Sequence, residues 1–279
     1  MKNSKKKNNK KVLERIKLRH LFIVLFFFIS TLLGVVYYYG LDPALLTKLS
    51  FYANLANPNI YIVRVPEGLR KEEIAEIMAD RLSWDESEKD DFVNIHLALG
   101  STNLEGHYFP KTYLINKNEN PSVVSATMFD EFSQKTAKIK KLKAAQIINE
   151  DTAIKIASII QREAGGKSDM KLISGIIWNR IFDGMKLQID ATLQYAKGSE
   201  EEGWWEQVNP EDKKIKSSYN TYLYEGLPPG AIANPGVDAI FAAYNPQKTN
   251  CLFYLHDKNR KIHCAVTYEE HKKNIGKYY

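Results

Sequence analysis

Ile60–Gly100 reads IYIVRVPEGLRKEEIAEIMADRLSWDESEKDDFVNIHLALG, and the change of period along it sets the fold class. Ile60–Val65 is a β-branched and aromatic run of the kind that forms a strand. Pro66-Glu67-Gly68 supplies a turn. From Leu69 to Leu82 the apolar residues fall at 69, 74, 77, 78 and 82, close to helical spacing. A second helix is expected over Glu86–Leu99, stopped by Gly100. Strand, helix, helix in one short stretch predicts a small α+β module, with boundaries at 59–103.

Downstream, residues 104–279 are expected to form a larger mixed α+β domain. Leu104–Ile115 (LEGHYFPKTYLI) is an aromatic strand-and-turn segment. Helices are expected over Pro121–Ile139, Ala144–Ile148, Asp151–Glu163, Met170–Phe182 and Val237–Tyr244. Asp151 is placed to cap the third of these, and Gly165-Gly166 to end it. Gly203–Ser218 reads as a polar loop around Trp204-Trp205, better suited to packing than to stacking on a ligand. CLFYLHDKNRKIHCAV (Cys251–Val266) reads as a hairpin, and Cys251 and Cys264 can pair across it in an oxidising compartment. The sequence leaves that pairing open.

Upstream, Leu21–Leu41 (LFIVLFFFISTLLGVVYYYGL) carries no charge. At about 1.5 Å per residue such a helix is roughly 31 Å long, matching a hydrocarbon core of about 30 Å. A cleaved signal peptide would have a shorter apolar run and a small-residue cleavage site, not the aromatic end Tyr37-Tyr38-Tyr39. Residues 1–20 hold nine Lys or Arg against the single acid Glu14. The positive-inside rule then expects a basic cytoplasmic tail (1–20), a single transmembrane helix (21–41), a connector (42–58) and an extracytoplasmic remainder, in the cytoplasmic (inner) membrane of a bacterial-type cell. The net charge of +6 belongs to the tail, because residues 21–279 hold 30 basic and 32 acidic side chains. Nucleic acid is therefore not an expected partner.

Glu163 stands out chemically. It sits in the last turn of its expected helix, after the apolar run Ile156–Ile160, where the helix dipole disfavours a carboxylate and raises its pKa. A raised pKa is what a general acid needs near neutrality. The residues alone leave open a solvated Glu, or one paired with Arg162 or Lys167. His107, His256 and His263 form no recognisable metal or nucleophile set, and no cofactor is expected.

IASIIQREAGG (156–166), NRIFDGMKLQIDATLQYA (179–196) and SSYNTYLYEGLPPGAIANPG (217–236) together resemble the YceG-like endolytic murein transglycosylase (MltG) family. LEGHYFPKTY (104–113) is similar to a further family segment, as are His263 and the Glu270-His271 pair. The match runs in order from Ile60 to His271. Departures occur at Ala164, where Thr is common, at Lys111, where an acid is common, at His107, where Tyr is common, and at Lys272, where Asn is frequent.

The resemblance implies that 59–103 is a LysM-like module and 104–279 a YceG-like catalytic domain. It implies a lyase that cuts peptidoglycan glycan strands internally, between N-acetylmuramic acid and N-acetylglucosamine, leaving a 1,6-anhydro end. Glu163 aligns with the family's catalytic acid. Asp190 matches a second acid that positions substrate or holds the site together; were it a base activating water, the protein would be a hydrolytic muramidase. Gln188, Asn179, Arg180, Asn220, Thr221, Tyr222 and Asn234 are the further substrate-binding or site-supporting positions. The family also implies work beside the cell-wall synthesis complex. A scaffold that binds peptidoglycan without cutting it is the non-enzymatic alternative.

Overall fold

A computed structural model describes residues 22–31, 34, 56–98 and 104–278, with the side chains of 96–98 set aside. The chain divides into two compact units, Met1–Pro58 and Asn59–Tyr279. In the first, residues 22–31 are helical, and the Thr31 hydroxyl donates to the carbonyls of Phe27 and Phe28, both at 2.9 Å. No helix among the described residues is long and apolar enough to cross a membrane. The rest of the expected span and most of the connector lie outside the described residues, as does the expected stop at Gly100.

The second unit is mixed α+β. Its elements are β1 (Ile60–Arg64), α1 (Lys71–Leu82), α2 (Glu86–Ala98), β2 (Thr112–Asn116), α3 (Pro121–Thr136), α4 (Glu150–Glu163), α5 (Met170–Phe182), α6 (Asp190–Lys197), α7 (Val237–Tyr244), β3 (Phe253–His256), β4 (Ile262–Ala265) and α8 (Tyr268–Tyr278). Single 3-10 turns occur at Ile139–Lys141, Lys143–Gln146 and Pro210–Lys214.

Two cores organise this unit. β1 pairs antiparallel with β2, with Val63 opposite Tyr113 and Tyr61 opposite Ile115. Val63 and Val65 turn inward while Ile62 and Arg64 face out, as the pleat requires. α1 buries Ile74, Ala75, Met78 and Leu82, and α2 contributes Phe92, which stacks on Tyr108 at 4.9 Å. Val124 and Met128 of α3 complete this first core. The partner strand and covering helix thus lie beyond residue 103, so the small core draws on both sides of the expected 103/104 border.

α4 is the centre of the second core. It buries Ile154, Ile156, Ile159 and Ile160 against Ile173 and Ile177 of α5 and Ala239, Ile240 and Ala243 of α7. Its cap is Asn149, whose side chain accepts from the Thr152 N–H at 2.8 Å. The expected cap, Asp151, instead lies in the first turn and pairs with Lys155 at 2.6 Å. Gly106 marks a close approach of the 104–109 segment to α4. Its φ is +90°, and a Cβ there would meet the Ala231 side chain at 2.8 Å, so only glycine fits.

Some boundaries shift. α3 ends at Thr136 and gives way to a 3-10 turn, and the short helix expected over Ala144–Ile148 is a 3-10 turn at Lys143–Gln146. α6 and α8 are helices where none was expected. The signal for α8 is Thr267-Tyr268-Glu269-Glu270, a T-x-x-E capping box: the Glu270 N–H donates to the Thr267 hydroxyl at 3.2 Å, and the Glu270 carboxylate accepts from the Thr267 N–H at 3.3 Å. The hairpin forms with Tyr254 opposite Cys264, and Cys251 and Cys264 are joined in a disulfide, the pairing the sequence left open.

Candidate active site

α4 ends at Glu163, where its apolar face gives way to a cleft of about 430 Å³. The cleft is walled by Glu163 and Arg180, by the Leu187–Asp190 segment with Tyr222, by Phe253–Leu255 of the hairpin, and by Tyr268, His271 and Ile275 of α8. One wall is apolar and aromatic; the other carries two carboxylates.

Glu163 is half-buried. Its carboxyl is pushed above the usual range first by burial and then by the negative charge of Asp190. The Tyr254 hydroxyl, donating to Oε2 at 2.6 Å, works in the other direction, as do the Ala191 N–H in the first turn of α6 and the nearby His256. The direction is the one expected at a helix C-terminus, and burial is the leading cause. Among the described residues no Lys or Arg forms an ion pair with Glu163. Arg162 instead donates to the Gly68 carbonyl at 3.2 Å and lies over the Trp205 ring at 3.6 Å, while Lys167 pairs with Asp238.

The turn after Glu163 is clamped. Asp169 accepts from the N–H groups of Gly165 and Gly166 at 3.0 and 3.1 Å, and its Oδ2 lies 2.7 Å from Nε2 of His256 on β3. Asp190 opens α6 and is exposed, with one oxygen accepting from the Tyr222 hydroxyl at 2.6 Å. Burial and the Asp190 carboxylate push the Tyr222 phenol up. Gln188 is exposed at the rim, with φ +50°, a left-handed conformation that costs energy for a side chain with a Cβ. Its N–H donates to the Thr221 carbonyl at 3.0 Å. The Thr221 hydroxyl accepts from the Ile189 N–H at 3.0 Å and contacts Thr192 at 2.9 Å.

The remaining candidates separate into two groups. Arg180 lines the cleft but spends its donors on backbone: Nε on the Leu252 carbonyl at 2.6 Å and Nη1 on the Lys186 and Leu187 carbonyls. It lies over the Phe253 ring at 5.1 Å. Asn179, Asn220 and Asn234 stand away from the cleft. Asn179 donates to the carbonyls of Thr249 and Cys251, and Asn220 to those of Lys213 and Ile215. Asn234 accepts from Gly106 and Tyr108 and donates to Leu69 and Glu105. Trp204 and Trp205 donate to Glu76 and Glu73 of α1, a packing arrangement. Among the described residues no cluster of three or more His, Cys, Asp or Glu side chains is arranged to hold a metal ion. Phe253, Tyr254, Tyr268 and Ile275 wall the cleft without a signal in the sequence, because a short hairpin and a short C-terminal helix give no hint of which cavity they face.

The model of the YceG-like family matches residues 38–277. The chain belongs to the YceG-like family. Among curated relatives of this YceG-like chain, the endolytic murein transglycosylase of Bacillus subtilis (strain 168) is 33% identical over 177 residues, 63% of this chain and 48% of that protein. That of Streptococcus pneumoniae (serotype 2, strain D39) is 29% identical over 178 residues, 63% of this chain and 32% of that protein. The matched part of this chain thus spans from a third to a half of these relatives' length. A crystal structure of a YceG-like protein from Listeria monocytogenes superposes with a TM-score of 0.67 at 28% identity, covering 76% of this chain and 75% of that one.

Proposed function

We propose that this YceG-like chain is a membrane-anchored endolytic lytic transglycosylase that cleaves peptidoglycan glycan strands between N-acetylmuramic acid and N-acetylglucosamine. The observation that carries the reading is the half-buried Glu163 carboxyl, held toward its protonated form at the edge of an open cleft. The names of the curated relatives support the same substrate.

In this mechanism neutral Glu163 gives its proton to the glycosidic oxygen as the bond to C1 breaks. The C6 hydroxyl of the same muramic residue closes on C1, and its proton returns to the Glu163 carboxylate. Because the nucleophile is part of the substrate, it acts at high effective molarity and needs no second catalytic carboxylate. Asp190, Gln188 and Tyr222 line the glycan path, with Asp190 also keeping Glu163 protonated. Asn179, Arg180, Asn220, Thr221 and Asn234 support the site by holding its loops through backbone carbonyls and N–H groups.

Residues 21–41 act as a single transmembrane anchor, with the basic tail cytoplasmic and the cleft on the outer side, close to newly made strands and the cell-wall synthesis complex. The charge-free length of the segment and the nine cations before it support this placement. The β1–α1–α2 region serves as a LysM-like module that presents glycan to the YceG-like catalytic domain. The test is digestion of purified peptidoglycan by the full chain in detergent, with mass analysis of the products. Internal cleavage with 1,6-anhydro ends is expected. Reducing ends would make the protein a muramidase, and an intact substrate would make it a scaffold.

A further inference from the structure

Tyr254 is not among the residues that family resemblance singles out, yet its hydroxyl makes the one side-chain hydrogen bond that Glu163 receives among the described residues, 2.6 Å from Oε2. The ring is half-buried in the cleft wall, and desolvation followed by the Glu163 charge drives its phenol well above the ordinary range, so the hydroxyl keeps its proton and acts as a donor. Among the described residues Oε2 is the one hydrogen-bond acceptor of that hydroxyl, and a phenol that keeps its proton donates it there. Oε2 is therefore an acceptor, and in the neutral acid the proton belongs on Oε1.

The backbone around Tyr254 is held on several sides. Cys264, its partner across the hairpin, is in the disulfide to Cys251. Leu252 is bound by Arg180, and His256 by Asp169, which also holds the turn just after Glu163. Donor and acceptor thus sit on two elements locked to each other independently of the bond between them.

We propose that Tyr254 is the positioning residue for the catalytic acid: it assigns the proton to Oε1 of Glu163 and stabilises the carboxylate formed when that proton leaves. This rests on the transglycosylase reading. The proton on Oε1 passes to the glycosidic oxygen and the bond to C1 breaks. The Tyr254 bond to Oε2 then becomes charge-assisted and strengthens, a stabilisation greater in the transition state than in the ground state. When the C6 oxygen bonds to C1, its proton returns to the same Oε1. Tyr254 itself gains and loses no proton.

The experiment compares the full chain in detergent with Tyr254→Phe, which keeps the ring, and with 3-fluorotyrosine installed at 254, a more acidic and stronger donor. Turnover of Tyr254→Phe should fall about ten- to a hundredfold, the range of a charge-assisted hydrogen bond, with KM little changed. Because the Tyr254 bond favours the Glu163 carboxylate, its loss should move the alkaline limb of the pH–rate profile to higher pH, and fluorotyrosine should move it lower. Opposite shifts support the assignment; a Tyr254→Phe profile that falls in rate without moving in pH overturns it. Carboxyl carbon-13 titration of Glu163 reads the same bond without turnover. An unchanged midpoint in Tyr254→Phe also overturns the Tyr254 role. Absence of anhydro products from the unsubstituted protein would overturn the reaction reading instead, with the titration still deciding the bond.

Discussion

Glu105 and Glu163 are both glutamates in the sequence segments that resemble the family, and burial raises the carboxyl of each. Glu105, only 1% exposed, is pushed up to about 8. The Lys71 N–H donates to both its oxygens at 3.1 and 3.2 Å, Asn234 donates to Oε1 at 2.6 Å, and the Tyr195 hydroxyl lies 3.4 Å from Oε2. Its oxygens are committed to protein donors from the start of α1, the 234 loop and α6. Glu163 receives the Tyr254 hydroxyl on one oxygen and a backbone N–H from Ala191, and it faces a cleft. A shifted pKa therefore marks a buried carboxyl; a shifted pKa beside open space marks a carboxyl that can act on something. Glu105 joins segments distant in the chain, whereas Glu163 borders open space.

The comparison breaks most sharply under parallel substitution. Glu163→Gln should cut glycan cleavage by about 10²–10⁴-fold, the usual worth of a general acid, with thermal stability preserved. Glu105→Gln should leave cleavage near its original rate, because Gln still offers an acceptor to Asn234 and Lys71. Rates of anhydro-product release from the two variants decide the matter, and equal losses would erase the distinction. A smaller effect is expected from the hairpin that walls the cleft. Replacing Cys251 and Cys264 by Ser removes a cross-link between residues 13 apart, and loops of about this length contribute up to about 3 kcal/mol. Denaturant unfolding under oxidising conditions should show that loss, while Glu105 and its partners, on other elements, keep their arrangement.

How much of this was legible in the sequence follows from how local each signal is. The α+β class, α5 and α7 could be read from periodicity, and Glu163 from its place at the end of an apolar helix. The cap of α4 was misplaced by two residues because Asn149 and Asp151 are both good caps and only geometry chooses between them. The border of the small core was hidden because strand pairing between β1 and β2 is non-local. The same holds for Asn234. Its loop reads as a stiff turn, yet the side chain reaches Leu69, Gly106, Tyr108 and Glu105, contacts no window along the chain can reveal. Family resemblance marked the position without giving the reason, and it did not mark Tyr254.

Asp190→Asn sharpens the comparison from the cleft side. The Asp190 charge raises the Glu163 pKa, so removing it should lower that pKa and move the alkaline limb of the pH–rate profile to lower pH. Near neutrality the rate should fall by roughly tenfold or less, as in other losses of one charged neighbour. Asparagine keeps an acceptor for the Tyr222 hydroxyl, so the wall itself should stay in place. A rate loss with no movement of the limb would mean that Asp190 acts on the glycan and not through Glu163.

The remaining effect is the most specific to Glu105. Its ordinary value is 4.5 and its folded value about 8, so between these pH values the native state binds a proton that the unfolded chain has released. Stability must then fall as pH rises through this window, with a slope of up to about 1.4 kcal/mol per pH unit from this one group. Below about pH 4.5 both states hold the proton, and above about 8 both have lost it, so the slope disappears at either end. Glutamine cannot titrate. In Glu105→Gln the unfolding free energy between pH 5 and 8 should flatten by about that amount per unit relative to the parent. Glu163→Gln removes a second raised carboxyl and should flatten the same curve in the same direction. Urea midpoints across this range measure both slopes, and a Glu105→Gln slope equal to the parent's would remove Glu105 as the group that carries this pH dependence.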